Sequence, residues 1–493
     1  MKKLPLFFCF FIVLIAGGKA QSPDLSPNQP DGPYIFYTSE GVKVVTVDTL
    51  GYIHEDVYAE LPQNFTFDVY STVNEPDKGR RSKFQVTLHP ISRIDWRREA
   101  PDSLVVISDP HAKWAPFVSI LKSSGVIDDN LNWAFRNNEL MIIGDILDRG
   151  DDATTIFWFV YKLQQEARDA GGEVYFVYGN HEEMELRNSS SCYSNGYIYQ
   201  KYIDICTKYF NQTNQYGSLF LNENTEIGRW LKECNLIQII GNDLYVHAGL
   251  SGSFYLRNYS IPEVNQTVST QIMRASGRDS FLFGTSSSSG GPLWYRGMIP
   301  DYVAKGGYTE NPTEPRTLHL SISYLHNLLK RYEVERIIIG HTEHNNGDGP
   351  IAYSEYDSRV VNVNVQTQNA MTAGRGRGIL ILKNGETYIL YDKKAKKQMQ
   401  LPVTPLNTGI EAVQIDDASL KVYPNPTAGT LNVVADWKMD KLTIFTLGGQ
   451  VVKSSKPAAD ADTLDVSALP PGVYLLFAEG KAKAETVKFE IKK

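Results

Sequence analysis

Five short apolar runs punctuate the middle of the chain: Leu104–Ile107, Leu140–Ile143, Val174–Val177, Leu244–Val246 and Ile337–Ile339. Each is apolar at consecutive rather than alternate positions, the pattern of a strand covered on both faces. Helical patterns lie between some of them. Asp151–Ala170 opens with acids, sets Ile156, Phe159, Val160 and Leu163 on one face, and stops at Gly171-Gly172. Thr317–Arg331 predicts a second helix that feeds the run at Ile337. Strands alternating with helices point to an α/β core, expected over residues 100–405 as a layered β-sheet with flanking helices.

The two ends read differently. Tyr34–Thr38 and Val42–Val47 form a hairpin pattern about Ser39-Glu40-Gly41, and Phe84–Leu88 alternates apolar and polar, so residues 21–99 read as a β-rich lead-in. Beyond about 405, short β-rich runs at Lys421–Tyr423, Thr430–Val434, Leu442–Phe445, Gly472–Phe477 and Val487–Ile491 are spaced by Pro/Asn and Gly/Pro turns. That spacing predicts a small β-sandwich over 406–493. Residues 183–228, dense in Asn, Ser and Tyr, read as an insertion that could be a pocket wall, a lid or a surface excursion.

Charge and the N-terminus narrow the setting. The 493 residues carry a formal net charge of −7, which disfavours nucleic acid as a partner because the phosphate backbone needs a basic footprint. Lys2 and Lys3 precede an uncharged run from Leu4 to Gly18, and small residues close it at Gly18-Lys19-Ala20. Residues 1–20 thus read as a cleaved signal peptide, since the run is short for a membrane span. Its removal takes three lysines and no acid, leaving −10. No later run is long enough to be a transmembrane span. Cys192, Cys206 and Cys234 remain, an odd number that allows one disulfide but excludes a fold held by bridges.

The candidate chemistry sits directly after the five runs. They are followed by Asp109-Pro110-His111, by Gly144-Asp145-Ile146-Leu147-Asp148-Arg149-Gly150, by Gly179-Asn180-His181-Glu182, by His247-Ala248-Gly249 and by Gly340-His341-Thr342. Loops beyond the carboxyl ends of such strands can converge on one crevice. The residue types suit a two-metal hydrolytic site with Asp145 as the shared carboxylate. Asp109 and His111 would complete one ion's ligands, and Asn180, His247 and His341 the other's. Mixed imidazole and carboxylate donors suit Mn, Fe or Zn.

This ordered series resembles the calcineurin-like metallophosphoesterase superfamily. Its Asp-Arg-Gly and Asn-His-Glu motifs resemble the phosphoprotein phosphatase branch, and Gly291-Pro292-Leu293-Trp294-Tyr295-Arg296-Gly297 is similar to the Shewanella-like phosphatases. The resemblance implies His181 as general acid, Asp148 as the carboxylate that orients it, and Arg149 and Arg296 as phosphate-binding residues. Ser108 and Ala112 stand where that family usually has Gly, and Glu343 stands where many non-protein phosphoesterases carry another histidine. The tail, with Lys421-Val422-Tyr423-Pro424-Asn425-Pro426 and Leu469-Pro470-Pro471-Gly472-Val473-Tyr474, resembles the sorting domain of the type IX secretion system, which implies secretion machinery as a partner.

The expectation is a secreted or surface metal-dependent phosphatase, exported through the periplasm, acting on phosphomonoesters of protein or small molecules. Two other readings stay open: a nucleotide or dinucleotide polyphosphate hydrolase on the same site, and a catalytically weak surface-binding protein on this scaffold.

Overall fold

The computed structural model describes residues 25, 29–74, 79–187, 196, 198–213, 215–274, 276–285, 290–300, 320, 322–344, 349–364, 376–392, 394–399, 401, 420–435, 437–447, 449–457, 460–480 and 484–492. The signal-peptide expectation and Cys192 lie outside them. Cys206 and Cys234 are buried free thiols.

All five apolar runs are strands: β1 (Ser103–Ser108), β2 (Glu139–Ile143), β3 (Glu173–Val177), β4 (Asp243–Val246) and β5 (Arg336–Ile339). They are divided between two six-stranded sheets rather than lined up in one. In the first, β1, β2 and β3 run parallel, and Arg377–Leu382 adds antiparallel to the free edge of β1. In the second, β4 and β5 run parallel, flanked by Ile237–Ile240 and Val360–Asn362.

Alternation along each strand explains the stacking. Leu104, Val106, Met141, Ile143, Tyr175 and Val177 face the other sheet and meet Ile240, Tyr245, Ile338 and Val361 in one buried cluster. Val105, Ile107, Leu140, Ile142, Val174 and Phe176 face outward into a second core, under the helix Ala153–Asp169. Both faces are covered, which is why the runs are continuously apolar. The predicted helix at Thr317–Arg331 is observed as Ile322–Tyr332.

The lead-in is built into this body. Its hairpin pairs Thr38 with Gly41, and Trp158 Nε1, in the helix above β2, donates to the Pro33 carbonyl at 2.8 Å. The described part of the 183–228 insertion is helical at Gln200–Phe210 and Tyr216–Phe220. It packs Phe210 and Phe220 against Tyr34 and Phe36 of that hairpin, with the Tyr34 and Phe220 rings 4.2 Å apart. The tail forms a three-stranded and a four-stranded antiparallel sheet over a core of its own, the β-sandwich that turn spacing predicted. Among the described residues no helix is long and apolar enough to cross a membrane.

Candidate metal centre

Asp109, His111, Asp145, Asp148, Arg149, His247 and His341 stand on turns where a strand ends, while Asn180 and His181 open the helix Asn180–Leu186; several of the turns are unusually bent. Asp109, His111, Ala112, Asp145, Asp148, Arg149 and His341 all have φ between 46° and 69°, the left-handed region. Non-glycine residues held there cost about 1–3 kcal/mol each and collect at functional sites. Two glycines let the turns close on one another. A Cβ on Gly179 would lie 2.1 Å from Asp145 Oδ1, and one on Gly340 would lie 2.4 Å from Asp109 Oδ2.

Asp145 is the centre of the arrangement. Its Oδ2 lies 3.2 Å from His247 Nε2, 3.8 Å from His111 Nε2 and 4.0 Å from His181 Nε2. Two groups of converging donor atoms share it: His111, Asp145 and His181, and Asp145, His247 and His341. Asn180 Oδ1 is 3.0 Å from His247 Nε2 and so joins the second group. Asp109 stands at the edge of the cluster, outside both groups, where both its oxygens accept the His341 N–H at 3.1 Å.

The rings are aimed from behind. The Leu147 carbonyl holds His111 Nδ1 at 3.0 Å and the Ile143 carbonyl holds His247 Nδ1 at 3.1 Å, so both present Nε2 inward. Such carbonyl partners fix the tautomer that leaves the other nitrogen free to ligate. His341 Nε2 is buried without a hydrogen-bond partner among the described residues. An orphaned buried imidazole nitrogen beside a shared carboxylate fits a transition-metal ligand.

Electrostatics separate the histidines. Burial, together with the charge on His181, pushes His111 well below its ordinary pKa; burial and Arg296 do the same to His341. Burial would also lower His247, but the Asp145 and Asp109 carboxylates outweigh it and raise it to about 9. Burial raises Asp109 to about 7, with the Asp145 charge adding and His247 opposing. Burial opposes ionisation of Asp145, yet the surrounding imidazoles hold it well below the usual carboxylate range.

His181 differs in that its Nδ1 meets a carboxylate, Asp148 Oδ2, at 2.5 Å. Burial lowers its pKa, but Asp145 and Asp148 win and raise it. Arg149 Nη2 is 3.5 Å from His181 Nε2, and its Nη1 pairs with Glu343 at 3.4 Å. Arg296 Nη1 donates to Thr342 Oγ1 at 2.9 Å, and Trp294 meets His341 edge to face at 5.8 Å.

Two residues escaped the sequence reading. Glu182 lies in a quoted motif but had no role. Its carboxylate accepts the N–H groups of Asp145, Ile146, Leu147 and Gly179 at 2.8–3.1 Å, and so ties the second motif to the third. Burial and the nearby Asp145 charge raise its pKa despite those four bonds. Lys113 is buried beside the first motif, where burial and the Arg149 charge lower it to about 8. Nothing in its spacing signals that position.

The profile of the calcineurin-like phosphoesterases matches residues 103–344, the span that holds every one of these side chains. Residues 103–344 are a calcineurin-like phosphoesterase domain. A secretion system C-terminal sorting domain matches residues 421–492, the tail sandwich. The phosphoesterase domain has curated relatives. Shewanella-like protein phosphatase 1 of Plasmodium berghei (strain Anka) is 27% identical over 245 residues, 48% of this chain and 60% of the relative. Shewanella-like protein phosphatase 2 of Arabidopsis thaliana is 37% identical over 93 residues, 19% of this chain and 24% of the relative. The chain thus spans less than two thirds of either relative. Among solved structures, the cold-active protein-tyrosine phosphatase of a psychrophilic Shewanella species superposes with a TM-score of 0.58 at 25% identity. That match covers 75% of this chain and 99% of the other. The phosphoesterase domain and the sorting domain thus occupy separate stretches of one chain.

Proposed function

We propose that the protein is a metal-dependent phosphomonoesterase with a dinuclear centre, delivered by a signal peptide through the periplasm and by the tail to the cell surface or medium. The observation that carries this reading is the carboxylate of Asp145, shared by two separate groups of inward-facing donors. Asp109, His111 and Asp145 would hold one ion; Asp145, Asn180, His247 and His341 would hold the other. Bound there, Mn, Fe or Zn ions would supply Lewis-acid activation of water and of the phosphate.

The chain's own residues do the rest. Arg149 lies beside His181 and Arg296 is near enough to His341 to lower its pKa, and both offer forked donors to phosphate oxygens. Asp148 holds His181 Nδ1 and favours the protonated ring, so Nε2 can give its proton to the departing alkoxide. His181 also stands in the first donor group, and its charge-stabilising partner Asp148 is what favours the acid role over a ligand role. The relatives are named as protein phosphatases, which supports a phosphorylated protein as the substrate class.

Metal analysis of the purified protein, paired with hydrolysis of phosphomonoesters, diesters, nucleotides and phosphopeptides, tests this. The expected result is about two transition-metal ions per chain and a preference for monoesters. Asp145→Asn should lose both ions together. Full metal content in that variant, or activity confined to diesters or polyphosphates, overturns the proposal.

A further inference from the structure

The loop that carries Asp148 and Arg149 is held from outside the metal cluster by a buried ionic joint. Lys201, in the helix Gln200–Phe210, is wholly buried. Its Nζ donates to the Asp151 carbonyl and to Thr72 Oγ1 (3.0 Å), and it pairs with Asp31 Oδ1 at 3.5 Å. The next residue, Tyr202, donates its hydroxyl to the same Asp151 carbonyl at 3.0 Å and accepts the Ala153 N–H at 2.7 Å. Thr72 donates its N–H to Asp152 Oδ1 at 2.6 Å and its hydroxyl to the Asp151 carbonyl at 3.3 Å.

One carbonyl oxygen, two residues beyond Arg149, therefore gathers three donors from two distant parts of the chain. On its other side the loop is fixed to the first motif, where the Asp152 N–H donates to the Ala112 carbonyl at 3.0 Å. Just ahead of this peptide, anchored on both sides, Asp148 and Arg149 sit at φ 69° and 65°. Left-handed non-glycine residues persist only where the surroundings over-determine them. A buried ammonium with a carboxylate and several acceptors is costly to assemble, and such joints serve conformational specificity where they serve anything beyond packing.

We propose that Lys201 and Tyr202 are positioning residues for phosphate binding: by locking the Asp151 carbonyl against the N-terminal β segment they set where Arg149 stands. The described residues of the insertion and of the lead-in that hold the Asp151 carbonyl are then parts of the active site's frame. The proposal rests on Arg149 as a phosphate-gripping residue.

The test compares wild type with Lys201→Met combined with Asp31→Asn, so that the Lys201–Asp31 pair is removed together. Three quantities are measured: inorganic phosphate affinity by calorimetry, metal content, and amide hydrogen exchange over residues 148–153. The expected variant melts cooperatively, keeps its metal, exchanges those amides faster, and binds phosphate about 10- to 100-fold more weakly, the scale of a small misplacement of a binding group. A folded variant with unchanged phosphate affinity and unchanged exchange overturns the proposal. If the double variant does not fold, Tyr202→Phe carries the test through the loss of two hydrogen bonds, and the same two readouts decide. If wild type itself binds no phosphate, the reading of Arg149 falls, while the exchange comparison still decides whether Lys201 braces the loop.

Discussion

Replacing Glu182 by Gln probes the joint between the second and third motifs with a change of one atom. Four N–H donors face the carboxylate and divide evenly: Oε1 accepts from Ile146 and Leu147, Oε2 from Asp145 and Gly179. Four donors require an ionised acceptor. In Gln one oxygen becomes an NH₂ group, so whichever way the amide turns, two backbone N–H groups face another donor. A buried bond to a charged group contributes about 1.5–3 kcal/mol, so losing two costs about 3–6 kcal/mol. At about 2–4 °C per kcal/mol for a domain of this size, the melting midpoint falls by about 6–24 °C. Asp145 and Asn180 flank the joint on its two sides, so metal affinity should also drop, by about 10- to 100-fold, as for other groups that orient ligands. Circular dichroism melts of the metal-stripped protein give the first quantity and a metal titration gives the second. An unchanged midpoint with unchanged metal affinity would refute the role of Glu182 as the tie between the two turns.

Other perturbations separate the remaining roles. His181→Ala should keep both metals and lose about 10²–10⁴ in kcat on alkyl phosphates, with a smaller loss on p-nitrophenyl phosphate, whose leaving group needs little protonation; equal losses on both would remove the general-acid role. Deleting residues 406–493 should leave hydrolysis intact and abolish delivery outside the cell, because the tail has a core of its own and all candidate ligands lie at or before His341; a folded but inactive truncation would make the tail part of the site. Burial raises Glu139 to about 7 against its ordinary 4.5, so the folded state binds more protons than the unfolded between those values and stability falls as pH rises through that window, then stays level. Glu139→Gln should therefore gain stability relative to wild type at pH 8, by up to about 3 kcal/mol, and not at pH 4; urea midpoints at the two pH values check the sign.

The site was legible because its parts are short and local. Each motif follows a strand with a continuous apolar stretch, and the structure gathers His111, Asp145, His181, His247 and His341 from these motifs into two groups of converging donor atoms. The division of those strands between two sheets was not legible, since a strand buried on both faces has the same composition whichever neighbours it takes. Ala112 shows the same limit. It offers no ligand, yet it stands at φ 54°, a backbone state that glycine adopts freely and alanine does not. Lys201 gave no signal, because its partners Asp31, Thr72 and Asp151 are 170, 129 and 50 residues away, and a lysine in a polar insertion reads as solvated. In the tail, Val451–Ser455 and Ala461–Asp465 escaped prediction because half-exposed strands of mixed composition lack clean alternation.

The bond from the His341 N–H to Asp109 spans 232 residues, and the outer edge of β1 is closed only by Arg377–Leu382. A polypeptide made from its N-terminus can therefore display the first three motifs long before the fifth exists. Bringing the ends of so long a loop together costs about 5 kcal/mol of chain entropy, repaid only when the late strands arrive to cover the sheet. An emerging or threaded chain is thus chemically silent: it carries most of its donors yet lacks the geometry to hold a phosphate. The closed donor cluster is a late property of the finished domain, since a chain that ends before residue 341 lacks both His341 and the bond that anchors Asp109.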